Sequence, residues 1–170
     1  MKFIETQIKD LFIIENDKHN DNRGQFIKTY NEIDFQDKKI SVKEIFYSHS
    51  VKNVIRGMHF QTSPKQQTKI VSVVKGEILD VVLDMRPQSK TFGQYFETIL
   101  SDSNNLSLYA PKDFAHGFLV LSEYATVLYA SDNEFDYEYD SGVRYDSFGY
   151  DWKVLNPIIS DKDRSLRNFE

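Results

Sequence analysis

The sequence predicts an all-β fold, a jelly-roll barrel with short peripheral helices, and two observations carry that prediction. Short runs rich in Val, Ile, Thr, Tyr and Phe follow one another at residues 69–74, 78–83, 94–100, 117–121 and 125–129, and such side chains suit a half-buried pleated surface. Turn chemistry separates these runs at Lys75-Gly76, Pro87-Gln88-Ser89, Asp102-Ser103-Asn104-Asn105 and Pro111-Lys112-Asp113, the cadence of a sandwich or barrel rather than of strand-helix-strand units. Helix is expected only in short pieces, around residues 32–35 and beyond Ser160. There is no linker, repeat or low-complexity tract, so the 170 residues are expected to form one domain, 1–170.

Composition narrows the function. The 26 acidic and 21 basic side chains give a net charge of −5, and no Lys/Arg cluster is dense enough to track a phosphate backbone, so a nucleic acid polymer is not an expected partner. The sequence contains no cysteine, which removes disulfides, thiolate metal sites and thiol nucleophiles and fits a reducing compartment. Charged residues come too early after Met1 for the apolar core of a signal peptide, and no apolar run approaches a membrane span. A soluble, cytoplasmic protein without a membrane partner is the expectation.

Two stretches stand out as chemistry. Arg56-Gly57-Met58-His59-Phe60-Gln61 and Tyr109-Ala110-Pro111-Lys112-Asp113-Phe114-Ala115-His116-Gly117-Phe118 each set one histidine among bulky apolar neighbours in β-structure. A histidine there can be held neutral, the state a proton acceptor needs. Either alone would read as a satisfied core histidine; together they read as two halves of one pocket. In a small antiparallel barrel alternate residues point into the lumen, which would gather Arg56, His59, Gln61, Lys69, His116 and Tyr129 beside the rings of Phe60, Phe114 and Phe118. The cations suit an anionic ligand such as a diphosphate, although each alone could equally be an exposed strand charge.

With these motifs in view the chain resembles the dTDP-4-dehydrorhamnose 3,5-epimerase family. The resemblance runs from Phe12 to Asp163 and rests on Asp21-Asn22-Arg23-Gly24-Gln25-Phe26, on residues 53–61 and 76–86, on Ser89-Lys90-Thr91-Phe92-Gly93 and on residues 111–118. It implies a metal-free, cofactor-free cupin jelly roll, dimeric, that inverts carbons beside the keto group of a nucleotide-linked 4-keto-6-deoxy sugar. Carried over by position, His59 is the base, Asp163 its carboxylate partner, Tyr129 the acid acting from the opposite face and Lys69 the cation beside the enolate oxygen. Arg23 and Arg56 fall on diphosphate-binding positions, His116 on a substrate contact, and Phe26 and Lys162 complete the substrate-binding set. The roles are chemically coherent, because a ketone acidifies the adjacent C–H groups, a neutral imidazole can remove one such proton, and a phenol stays protonated at neutral pH to supply its replacement.

Departures from the family pattern gather at the base-binding positions. Lys28, Glu44 and Phe46 stand where the family usually has glutamate, glutamine and asparagine. Glu134 aligns with the aromatic that stacks on the base, leaving Phe135 as the nearest substitute, and Asp140 replaces a glutamate. Two alternatives stand for Lys28 and Glu44. They recognise a cytosine, which presents an acceptor at N3 and an amino donor where thymine presents a ring N–H, making the nucleotide CDP rather than dTDP; or they pair with each other as a salt bridge.

Two other functional classes compete. A metal-dependent cupin needs three or four inward ligands, whereas only His59 and His116 qualify here, His19 and His49 falling in loop or strand-edge segments. A silent sugar-nucleotide binding module would bind without proton exchange, and the joint presence of His59, Tyr129 and Asp163 argues against it. The resemblance implies inversion at C3, at C5 or at both. A homodimer is expected from the resemblance, and it would also cover exposed barrel edges.

Overall fold

The computed structural model describes residues 1–38 and 40–170, and its regular secondary structure is almost entirely strand. Along the chain run β1 (Lys2–Glu5), β2 (Phe12–Glu15), β3 (Asp17–Asp21), β4 (Gly24–Lys28), β5 (Glu44–Val51), β6 (Ile55–Gln61), β7 (Lys69–Lys75), β8 (Glu77–Asp84), β9 (Tyr95–Ser101), β10 (Leu106–Ala110), β11 (Phe114–Val120), β12 (Tyr124–Ser131), β13 (Asp140–Gly142) and the short helix α1 (Asp161–Arg164). They form a six-stranded sheet in the order β1-β2-β10-β7-β12-β5, a five-stranded sheet in the order β13-β6-β11-β8-β9, and a separate hairpin β3-β4. The jelly-roll expectation holds.

Strand alternation builds three layers of packing. On β8, Ile78 and Val82 join Val71, Val73, Leu108 and Phe118 in the core between the sheets, while Val81 and Leu83 face the other way and are covered by Val143, Phe148, Tyr150, Trp152 and Ile159. The aromatic C-terminal segment is therefore a lid on the outside of the five-stranded sheet. On the far side, Ile70, Ile14 and Tyr109 are covered by Phe35 and Ile40. With both outer faces covered by chain, the polar side chains of the lumen sit at one end of the inter-sheet space.

Residues 32–35 are turns rather than the expected helix, and the nearest helical piece is the 3-10 turn Gln36–Lys38. Four residues cannot stabilise a helix by themselves, and here the fully buried Phe35 ring, packed on Phe3 and Tyr30 at 5.0 Å each, sets the local path. Beyond Ser160 the expectation holds. The Ser160 Oγ caps α1 by accepting the Asp163 N–H at 3.1 Å.

The Met85-Arg86 and Ser89–Thr91 motifs turn out to be structural. Asp84, fully buried at the end of β8, accepts from Arg86 Nε (2.9 Å) and Nη2 (2.8 Å), Ser89 Oγ (2.7 Å) and Thr91 Oγ1 (2.6 Å). Burial alone would raise its pKa, but these donors outweigh burial and hold it at about 2. The Arg86 guanidinium also lies 4.4 Å from the Phe114 ring, fastening the β8–β9 loop to the barrel.

Candidate active site

The base end of the lumen is set by an irregularity in β6. His59 pairs with His116, yet Arg56 pairs with Phe118, so three steps on β6 span two on β11. Without the extra residue, alternation would turn Arg56 and His59 to opposite faces; the bulge brings both to the lumen. It forms at Gly57, whose φ is +136° and where an added Cβ would lie 2.5 Å from the Gly117 Cα. Only glycine meets both demands.

The cavity at this end has a volume of about 220 Å³. The five-stranded sheet contributes Arg56, His59 and Gln61 from β6, His116 and Phe118 from β11 and Asp140 from β13; the six-stranded sheet contributes Phe46 and Ser48 from β5, Lys69 from β7 and Tyr129 from β12. Phe60, Gln67, Phe135 and Lys162 complete the lining.

His59 Nε2 meets Asp163 Oδ1 at 2.8 Å, and the other carboxylate oxygen accepts the Gly57 N–H at 3.0 Å. Burial pushes the Asp163 pKa up, but the His59 and Gly57 contacts outweigh it and leave it below the ordinary value. A carboxylate on Nε2 places the imidazole proton there, leaves Nδ1 as the basic nitrogen and stabilises the imidazolium that forms on protonation. Asp163 comes from α1, more than a hundred residues from His59, and the Ser160 cap orients it.

A second buried pair lies beside the first. His116 Nε2 is 2.7 Å from Asp80 Oδ2, and Asp80 Oδ1 has no hydrogen-bond partner among the described residues. The sequence reading missed Asp80. Its signal was an aspartate in the middle of Ile78-Leu79-Asp80-Val81-Val82, at the alternation position that faces the lumen. Lys69 Nζ reaches the His59 carbonyl at 3.5 Å; burial lowers its pKa to about 8, with Asp140 pulling the other way. Burial raises the Tyr129 phenol far above its usual range. Its ring stacks on Phe46 with centroids 4.7 Å apart and planes 13° off parallel, and meets His116 edge-on at 6.0 Å.

The remaining expected residues divide. Arg56 lies at the rim, its Nε donating to Ser50 Oγ (2.9 Å) and Nη2 to the His49 carbonyl (3.3 Å). Asp140 and Lys162 form an ion pair across the mouth. Gln61 is a fastener: its amide nitrogen donates to the Lys65 and Glu134 carbonyls at 2.7 and 3.1 Å, and its Oε1 accepts the Asp136 N–H at 2.6 Å, fixing the loop that presents Phe135. Glu44 is outside the cavity lining and accepts the Phe135 N–H at 3.0 Å. No ion pair joins it to Lys28 among the described residues. Arg23, Phe26 and Lys28 stand on the β3–β4 hairpin, all exposed, and do not line this chain's cavity. Among the described residues no three His, Asp or Glu side chains group as metal ligands would.

A jelly roll that sets an oriented imidazole on one sheet across a small cavity from a buried phenol on the other has the parts that proton transfer on a small bound ligand requires. The profile of the dTDP-4-dehydrorhamnose 3,5-epimerase family matches residues 5–170, and the chain belongs to that family. It is 42% identical over 173 residues to the dTDP-4-dehydrorhamnose 3,5-epimerase of Methanothermobacter thermautotrophicus, covering 98% of this chain and 93% of the relative. The crystal structure of the Bacillus anthracis enzyme of that name, with TDP and PPi bound, superimposes with a TM-score of 0.94 at 39% identity and covers 99% of each chain. That of dTDP-6-deoxy-D-glucose-3,5-epimerase from Legionella pneumophila, in complex with dTDP-4-keto-L-rhamnose, gives a TM-score of 0.93 at 35% identity over 98% of this chain and 92% of the other.

Proposed function

We propose that this protein is an isomerase that epimerises a nucleotide-linked 4-keto-6-deoxy sugar at C3, C5 or both, with residues 1–170 acting as a single epimerase domain. The observation that carries the proposal is the placement of His59 and Tyr129 on facing sheets. His59 Nδ1 takes the proton from the carbon beside the ketone, Asp163 stabilises the imidazolium, and the enolate oxygen is met by the Lys69 ammonium. Tyr129 then delivers a proton to the opposite face of the same carbon, which inverts it. A base and an acid on the same wall would return the proton to the face it left.

Arg56 at the rim takes a phosphate oxygen of the diphosphate, and the exposed Phe135 ring offers a face to the base. The Asp140–Lys162 pair lies at the mouth, where the sugar enters. Arg23, Phe26 and Lys28 reach a lumen only if the hairpin belongs to a partner subunit, so we propose a homodimer in which each β3–β4 hairpin completes the other's site. For the nucleotide, dTDP follows the ligands in the names of the relatives. The CDP alternative needs Glu44 as an acceptor, and one of its oxygens already serves the Phe135 N–H. The cysteine-free sequence suits the cytoplasm, and among the described residues no helix is long and apolar enough to cross a membrane.

The test is mass spectrometry of dTDP- and CDP-linked 4-keto-6-deoxyglucose incubated with the protein in heavy water, with His59→Ala as control. Enzyme-dependent uptake of two deuteriums means exchange at both carbons, one means a single-site epimerase, and the faster substrate identifies the base. Nucleotide binding with no uptake from either substrate overturns the proposal in favour of a silent binding module.

A further inference from the structure

Strand β5 is the edge of the six-stranded sheet, and three of its residues at alternate positions, Phe46, Ser48 and Ser50, face the site. Two have evident employment. The Phe46 ring stacks on Tyr129, its direct cross-strand partner, and Ser50 Oγ holds the Arg56 guanidinium. Ser48, between them, lies diagonally from Tyr129 because its own partner across the strands is Val127. Its Oγ is buried, lines the cavity and makes no well-directed hydrogen bond among the described residues, and a buried hydroxyl left so is costly and calls for an explanation. After burial, the approach of the Ser48 hydroxyl is the largest influence on the Tyr129 phenol and favours its ionised form, so the two hydroxyls lie within reach of each other although they are not aligned as a good hydrogen bond.

We infer that Ser48 is a positioning residue for the proton donor: its hydroxyl turns to the Tyr129 oxygen and donates to it as the phenolate forms, while the Phe46 stack keeps the ring from swinging away. This rests on Tyr129 being the donor. In the step, the Tyr129 O–H bond breaks as the proton bonds to the sugar carbon. The electron pair left on the phenolate oxygen accepts the Ser48 O–H, and water later returns a proton to the phenolate and removes one from the His59 imidazolium. A phenolate in a dry pocket is poorly stabilised, so a donor aimed at it lowers the cost of the transfer. Phe46 supplies shape and no hydrogen bond, which leaves Ser48 as the β5 group able to do this.

The experiment is a double-mutant cycle with dTDP-4-keto-6-deoxyglucose, reading kcat, KM and deuterium uptake for Ser48→Ala, Ser48→Thr, Tyr129→Phe and the double variant Ser48→Ala/Tyr129→Phe. The expected result is a kcat lower by about tenfold or more in Ser48→Ala with KM changed less than about twofold, recovery in Ser48→Thr, and no further loss when Ser48→Ala is added to Tyr129→Phe. Circular dichroism melting of each variant shows that the fold survives. A wild-type kcat in Ser48→Ala, or an undiminished loss in the Tyr129→Phe background, overturns the inference while leaving the epimerase proposal standing. Wild-type turnover in Tyr129→Phe overturns the donor assignment and this inference with it.

Discussion

Enclosed at the start of β7, the Lys69 ammonium has lost hydration, which lowers its pKa to about 8 in spite of Asp140. The cation exists below that pH and the neutral amine above it, and only the cation stabilises an enolate. Turnover is therefore expected to lose activity as pH rises through about 8, whereas Asp163, held low by His59 and Gly57, stays ionised throughout. In Lys69→Met the alkaline limb should vanish and the remaining rate should be flat and lower by about a hundredfold. A pH profile of kcat for both proteins checks this, and a limb that persists in Lys69→Met would place it on another group. His59 and His116 were legible because each interrupts an apolar run, and Lys69 and Tyr129 because they sit at strand positions that the family resemblance assigns to the site. Asp80 also interrupts an apolar run and was passed over, since an aspartate within a strand also reads as a solvent-facing residue.

At the scale of elements, the β6 bulge decides whether Arg56 and His59 share a face. Gly57→Ala puts a Cβ against the Gly117 backbone at 2.5 Å and forces an alanine to φ +136°. A destabilisation of about 3 kcal/mol is expected in urea unfolding, with KM raised in whatever remains folded because Arg56 loses its aim. The Asp84 cluster governs acid stability. Its folded pKa of about 2 lies below the ordinary 3.8, so its stabilisation is complete above the unfolded value and is lost as pH falls toward 2. Unfolding free energy should hold near neutral pH and decline below about pH 4; in Asp84→Asn it should start lower by about 3 kcal/mol and decline less. The bulge was invisible in the sequence, where Gly57 was one more strand glycine. β3 was equally hidden, because Asp-Lys-His-Asn-Asp carries no strand signal and is held extended by its pairing with β4.

For the whole molecule, the hairpin is the part whose residues this chain's own lumen does not use. Ile45, Tyr47 and Val51 on the neighbouring edge strand β5 are more than half exposed, and an open apolar edge of that length invites a partner. If each hairpin completes the other subunit's site, Arg23→Ala and His59→Ala proteins, each impaired alone, should complement when mixed and allowed to exchange subunits. Half of the dimers are then mixed and each has one intact site, so about a quarter of wild-type activity should return. No recovery, in a mixture shown by mass spectrometry to contain mixed dimers, would place Arg23 outside the partner's site.

By itself the sequence determined the all-β class, five of the strands from residue 69 onward (β7, β8, β9, β11 and β12, though not β10 or β13) and most of the polar side chains of the lumen, because period-two alternation, turn residues and polar interruptions of apolar runs are local signals that survive without a structure. The tertiary structure alone decided which of those side chains meet. Asp163 reaches His59 across 104 residues and Asp80 reaches His116 across 36. Glu44 and Gln61 became fasteners of the Phe135 loop, and Arg23, Phe26 and Lys28 were carried away on a hairpin. Such pairings depend on sheet order, on register and on one added residue in β6. These are properties of how strands find each other, and no single strand encodes them.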